Sequence, residues 1–318
     1  MPCLASKAAA LALGALGGAM FHLLSLPLPW MLGALFTTMA ASISGLGVRA
    51  PIRLRPAVVA VIGVFLGARF TPAVLEQAEA VRVTLAVLLA YLAAVAAVVI
   101  PWYRIVGRQD WITAFFAGMP GGLSEMVELG EARGADVQAI VLAHSLRIVL
   151  TIGLMVLLFR VVLDHDLGTS GSTPVALGLS LVDAGILVGC AVFGSFIGLR
   201  LGLPAPTFLG PLILSAAAHL TGWTESLPPQ GIVILAQVAL GTLLGCRFQG
   251  IPLTSLARAG WLSAGATLAT LGLAVIAGFA MRSATGVELD QALLALAPGG
   301  LTEMGLIALA IHADVAFV

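Results

Sequence analysis

Charge is what this sequence has least of. Only 9% of its 318 residues are charged, where soluble domains carry about 25%. Most of the chain must therefore face lipid or other helices. Lysine occurs once, at Lys7, beside fourteen arginines and fifteen acids, and the net charge is zero. No basic stripe or polybasic tail is present to hold nucleic acid or an anionic membrane surface. Cysteine is scarce too. Cys3, Cys190 and Cys246 stand singly, so neither a disulfide framework nor a zinc pair follows. His22, His165, His219 and His312 fall at no metal-ligand spacing with one another or with cysteine. There is no Walker loop, dinucleotide fingerprint, H-E-x-x-H helix or nucleophile elbow. ATP-driven pumping, cofactor chemistry and enzyme catalysis are left without carriers, and no cofactor or metal is expected.

What is present is apolar and glycine-rich. Hydrophobic residues make up 60% of the chain, with 37 glycines, and the mean hydropathy is +1.10. The apolar runs are long and continuous rather than alternating, which argues against a β-barrel and for an all-α polytopic membrane protein. The glycines suit close helix packing and broken helices. Lys7 followed by Ala8–Leu24 has the look of a signal peptide, but no small-residue cleavage site follows. That stretch is read as the first membrane helix.

One costly stretch occurs twice. Pro120-Gly121-Gly122-Leu123-Ser124-Glu125-Met126 returns as Pro298-Gly299-Gly300-Leu301-Thr302-Glu303-Met304, 178 positions later. A helix-breaking Pro-Gly-Gly followed by a carboxylate is expensive inside an apolar segment, because freed backbone groups and a charge both need partners. Other landmarks keep the offset. Gly63–Phe70 matches Gly241–Phe248, both containing Gly-x-Arg-Phe. Leu26-Pro27-Leu28-Pro29 and Gly33 match Leu203-Pro204-Ala205-Pro206 and Gly210 at an offset of 177, and Asp136-Val137 matches Asp314-Val315. A near-constant offset over several landmarks indicates duplication.

The first repeat, residues 1–163, reads as helices over roughly 7–25, 29–46, 56–75, 81–103 and 136–162, with the motif segment at 110–133. A polar Gly/Ser/Thr-rich linker covers 164–177. The second repeat, 178–318, stops where the counterpart of the 136–162 helix is expected to begin, so its last helix is read as missing. Arginine placement swaps between the halves. Arg49, Arg53 and Arg55 occupy the second loop of the first, and Arg200 the first loop of the second. Glu76 and Glu79 are replaced by Arg258. Reversed parity predicts inverted repeats. Inversion needs an odd number of crossings, hence five helices per half with each motif segment folded as a re-entrant hairpin; if the segment instead crosses as a broken helix, each half has six crossings and the repeats are parallel.

In a hairpin, Trp111–Met119 and Leu123–Glu131 form the arms and Pro-Gly-Gly the tip. Ser124 suits an N-cap, and Glu125 in the first turn suits the positive end of the helix dipole. Capping alone explains that pattern, but duplication and membrane depth make Glu125 and Glu303 candidate proton or cation carriers. Pro120, Gly121, Gly122, Ser124, Pro298, Gly299, Gly300 and Thr302 join them, since the tips free backbone groups for a substrate or ion. Glu128 and Glu131 have no acidic counterparts and are expected to face water. Arg69 and Arg247 either snorkel to the interface or hold a buried acid or anion. His144 and Arg147 share one face of the 136–162 helix, with Glu125 as the candidate partner for the charge, a proton relay as an alternative for His144, and a satisfied structural pair standing equally with either. Asp136 is expected to cap that helix.

Together the duplicated motif, the Leu-Pro-x-Pro turns and Gly-x-Arg-Phe resemble the AbrB-type membrane protein family, over nearly the whole chain. The resemblance implies an internally duplicated membrane fold. Members carry labels such as regulator of gene expression and ammonia monooxygenase, and no site residues come with the resemblance. An oxygenase needs converging metal ligands, which the scattered histidines do not offer, so no enzyme is expected. The expectation is a secondary transporter of a small polar or anionic solute, coupled to protons or cations and alternating around the two motifs. It would sit in the lipid bilayer of the cytoplasmic membrane, N-terminus inside, without nucleic acid as partner and with homo-oligomers open to it. A membrane sensor or indirect regulator is the competing reading.

Overall fold

Proline and glycine punctuate the apolar runs, and the helices begin and end where they stand. The computed structural model describes residues 2–26, 28–70, 78–162, 180–311, 313–315 and 317–318. Thirteen α-helices occur among them: α1 (Pro2–Leu23), α2 (Pro29–Ile43), α3 (Arg55–Gly67), α4 (Ala78–Pro101), α5 (Trp111–Gly118), α6 (Leu123–Glu131), α7 (Val137–Leu157), α8 (Leu181–Arg200), α9 (Pro206–Leu220), α10 (Gln230–Gly245), α11 (Leu253–Thr285), α12 (Leu289–Leu296) and α13 (Leu301–Ala310). No strand occurs among the described residues. The 164–177 linker, Glu76, His165 and His312 lie outside them.

Five segments are long and apolar enough to cross a membrane: Arg82–Val106, Val137–Arg160, Leu181–Arg200, Gln230–Phe248 and Leu253–Thr285. Lys7–Leu23, Pro29–Ile43, Pro206–Leu220 and Leu301–Ala310 are shorter apolar helices. Large side chains such as Val192, Phe193 and Phe196 on α8 and Ile276 and Phe279 on α11 stand exposed. In water such a surface would aggregate. It is what an integral membrane protein presents to lipid.

The chain forms two compact units, 1–74 with 165–251 and 305–316, and 75–164 with 252–304 and 317–318. Each draws helices from both halves of the chain.

The first unit is built on glycine. Gly17 of α1 meets Gly33 of α2, and Gly194 of α8 meets Gly210 of α9. A side chain on any of the four would run into the facing backbone. Gly63 and Gly67 of α3 lie on the carbonyls of Phe208 and Leu212 of α9, while Gly241 and Gly245 of α10 lie on those of Met31 and Leu35 of α2. These contacts match at the 177–178 offset seen in the sequence. Leu28 and Ala205, just before the prolines that open α2 and α9, both adopt left-handed backbone, φ 45° and 46°. Proline at the first helical position leaves no orphan donor there and pre-sets φ, so the turn is abrupt in both places.

The second unit centres on α4 and α11. Tyr91, Val95, Val99 and Tyr103 form one core cluster with Leu262, Ala266, Ala274 and Met281, and Ala114, Ala117, Ala143, Ala292 and Leu296 complete it. The Trp102 ring lies where Gly265 leaves room, and its Nε1–H donates to the Leu262 carbonyl at 2.9 Å.

Candidate functional site

The first motif segment folds back on itself. Asp110 caps α5 by accepting from the Thr113 N–H at 2.9 Å. The helix stops at Met119, which is extended (φ −69°, ψ 136°), as a residue before proline must be. After Pro120 and Gly121, α6 starts from Gly122 and ends in a turn closed by the Ala135 N–H donating to the Gly130 carbonyl at 2.9 Å, with Gly134 left-handed. The Asp136 N–H then donates to Thr113 Oγ1 at 2.9 Å. The chain leaving the second arm thus touches the start of the first. Arms of eight and nine residues, about 12–14 Å long at 1.5 Å per residue, reach less than half way across a hydrocarbon core of about 30 Å.

Breaking a helix frees its last carbonyls, and α7 supplies their partners. Arg147 Nη1 donates to the Met119 carbonyl at 3.1 Å and Nη2 meets His144 Nδ1 at 3.2 Å, while His144 Nε2 meets the Phe116 carbonyl at 2.8 Å. Because arginine only donates, Nδ1 accepts and the ring proton sits on Nε2. Both ring nitrogens are engaged, so His144 and Arg147 form a hydrogen-bonded pair on α7. The expected ion pair between Arg147 and Glu125 does not form. Arg147 was assigned an acid because a buried cation needs a partner, yet helix-end carbonyls carry partial negative charge and serve instead.

The second motif segment uses the same devices. Ala297, before Pro298, is extended (φ −69°, ψ 129°). The Leu296 carbonyl at the end of α12 accepts from the Tyr91 hydroxyl at 2.8 Å. Gly299 lies against Thr151 of α7. Arg147 and Thr151 are four residues apart on one helix and so share a face. Met119, just before the first Pro-Gly-Gly tip, and Gly299, within the second, therefore meet the same face of α7, one turn apart and near its middle.

Within each motif the carboxylate curls back over the second glycine. Glu125 Oε2 fills the space a side chain on Gly122 would need, and Glu303 Oε2 does so at Gly300. Met126 and Met304 cover Gly121 and Gly299 in the same way. The copies differ in two respects. Gly122 has φ −65° whereas Gly300 has φ +97°, and Glu125 is exposed whereas Glu303 is 6% exposed. Thr302 Oγ1 donates to Glu303 Oε2 at 2.6 Å. The N-cap of α6 is Gly122, not Ser124, which stands two positions further in; the Ser124 side chain lies outside the described residues. Glu128 and Glu131 are exposed, as expected. Asp136 caps α7, its Oδ1 accepting from the Ala139 N–H at 3.1 Å.

Arg69, in the turn after α3, and Arg247, in the short 3-10 helix Cys246–Phe248 after α10, belong to the first unit and are half-buried. The Arg69 guanidinium lies 5.5 Å from the Phe65 ring centroid, and its Nε is buried without a hydrogen-bond partner.

Several residues of this arrangement escaped the reading of the sequence. Thr113 and Tyr91 were missed because a lone threonine or tyrosine in an apolar run gives no signal. The 178-residue offset offered one signal, since Gly299 pointed to a second tip needing its own support. Among the described residues no group of His, Cys, Asp and Glu is arranged to hold a metal ion.

The sequence model described as "AbrB: Transition state regulatory protein AbrB" matches residues 30–318. The chain belongs to the AbrB family. Among its relatives, "Putative regulator AbrB" of Escherichia coli (strain K12) is 26% identical over 307 residues, 94% of this chain and 86% of that protein. "Uncharacterized protein YhjN" of Bacillus subtilis (strain 168) is 27% identical over 234 residues, 66% of this chain. That alignment spans 59% of the Bacillus protein's length. For the AbrB family the match supports the resemblance drawn from the paired motifs, whose tips both fall inside it.

Proposed function

We propose that this AbrB-family chain is a secondary transporter that moves a small polar or anionic solute by alternating access around its two Pro-Gly-Gly tips. The observation that carries the reading is the approach of Met119, just before the first tip, and of Gly299, within the second, to the Arg147–Thr151 face of α7. Broken helices that meet at mid-membrane and present main-chain groups are how such transporters build a substrate site. Arg147 supplies a fixed cation there, and its Nε and Thr151 Oγ1 are buried without hydrogen-bond partners. Such groups await a polar guest.

Two inverted repeats are part of the proposal. The matched glycine contacts and the paired left-handed residues Leu28 and Ala205 support the duplication, and the swapped arginine loops support the inversion. One acid exposed and its counterpart buried is the asymmetry expected when two gates work out of phase. Glu125 and Glu303 are the proposed carriers of coupled protons or cations. Arg69 and Arg247 are proposed to hold anionic groups, with the protein in the cytoplasmic membrane, N-terminus inside and without catalytic role or cofactor.

The test is flux. Purified protein in liposomes, given an imposed proton or sodium gradient, should accumulate a solute from a mixture of metabolites. Glu303→Gln should uncouple that uptake from the gradient. Uptake by Glu303→Gln equal to the original protein across pH would sink the coupling claim. No gradient-dependent uptake of any solute would sink transport itself and favour the sensor reading.

A further inference from the structure

A cavity of about 430 Å³ opens in the second unit, at the base of the first hairpin and away from its tip. Its wall includes Arg108, Gln109 and Asp110 before α5, Asp136 before α7, and Ser255 and Arg258 on α11. Its inner end is closed by Tyr103 and Ser263, each at most 3% exposed, whose hydroxyls are 3.4 Å apart. The volume lies in the range of small-molecule pockets.

The charges on the wall are not equally engaged. Asp110 accepts from Thr113 and Asp136 accepts from Ala139, so each carboxylate is committed to the start of its helix. The cations are less committed. Arg258 makes one long hydrogen bond, 3.3 Å, to the Gly107 carbonyl, which leaves most of its fork open. Arg108 makes no hydrogen bond or ion pair with any described residue. It is held in left-handed backbone at φ 53°, a conformation that L side chains rarely adopt. Gln109 Oε1, on the same wall, is buried without a hydrogen-bond partner. Spare guanidinium donors, two buried hydroxyls and one orphaned acceptor describe a site for an anion that also carries a donor of its own.

We propose that this cavity binds a small carboxylate or phosphate anion, held by Arg108 and Arg258. The proposal goes beyond the transport reading, because binding can be measured without flux, and either claim can fail while the other stands. The full-length protein is placed in phosphatidylcholine nanodiscs, and its melting is followed while inorganic phosphate, lactate or choline is added. Phosphate or lactate should stabilise it saturably and choline should not. Arg108→Gln, which breaks no hydrogen bond, and Arg258→Gln should each weaken binding tenfold or more. Arg258→Lys should retain most of it, and Arg282→Gln, at the far end of α11, should bind like the original. A shift produced by phosphatidylglycerol in the nanodisc, absent with both soluble anions and lost in Arg108→Gln, would assign the same anion chemistry to a lipid headgroup. Equal stabilisation by choline, undiminished anion binding in the Arg108→Gln/Arg258→Gln double variant, or no shift with any anion would overturn the proposal.

Discussion

Gly122 and Gly300 occupy equivalent places in the two motifs, yet they constrain substitution differently. A methyl on Gly122 meets only the mobile end of Glu125, which can swing aside. A methyl on Gly300 meets Glu303 and is also forced into positive φ, a strain of roughly 1–3 kcal/mol. Gly300→Ala should therefore lower stability by about that amount and Gly122→Ala by much less, as read from unfolding in mixed detergent micelles. Equal losses would refute the assigned backbone difference. Asp110 supplies a pH-dependent test. The Thr113 hydroxyl and backbone N–H hold its carboxyl below the usual carboxylate value. A depressed folded value means the stabilisation is present above about pH 4, the ordinary unfolded value, and is lost as pH falls through the lowered one. Asp110→Ala should cost about 1 kcal/mol at pH 7 and lose part of the acid sensitivity between pH 5 and 3. At this scale the sequence was legible where residue type carries the role: Asp136 as a cap, Glu128 and Glu131 as exposed acids. The partners of Arg147 were not legible, because every residue owns a carbonyl and no side chain marks the one that will be used.

Helix positions were legible almost throughout, since Pro29, Pro120, Pro206 and the left-handed glycines mark the ends and the apolar runs mark the rest. The first motif segment folds back on itself, and the Asp136 N–H donating to Thr113 Oγ1 ties the base of the two arms. The spacing of the glycines foretold close helix packing but not which helix each would meet. Facing partners depend on the path of the whole chain. Gly210→Ala or Gly241→Ala drives a methyl into the facing main chain and should cost about 1–3 kcal/mol, in the range of overpacked cores. Gly260→Ala on α11 has open space around it and should be neutral or gain up to about 1 kcal/mol through helix propensity. The contrast can be measured by retention of folded protein after heating in detergent. A Gly260→Ala loss as large as that of Gly241→Ala would remove the packing explanation.

At the scale of the molecule, a motif that recurs along the sequence does not mean two bodies in space. Each compact unit takes helices from both halves, so neither half holds a complete core. Residues 1–163 expressed alone should be degraded or aggregate. Co-expression with residues 178–318 should recover a complex that purifies together, and stable folding of either half by itself would contradict the interleaving. Intertwining was not legible because an offset in sequence says which residues are alike, not which are neighbours. The paired glycines of α3 and α10 carry a mechanical consequence. Because Gly241 and Gly245 seat on carbonyls themselves one turn apart, a small slide of α10 along α2 would push a neighbouring side chain into the main chain. A slide of a full turn, about 5.4 Å, brings a glycine back over a carbonyl. The interface thus behaves as a notched rail rather than a greased one, with stops a turn apart and steric barriers between them.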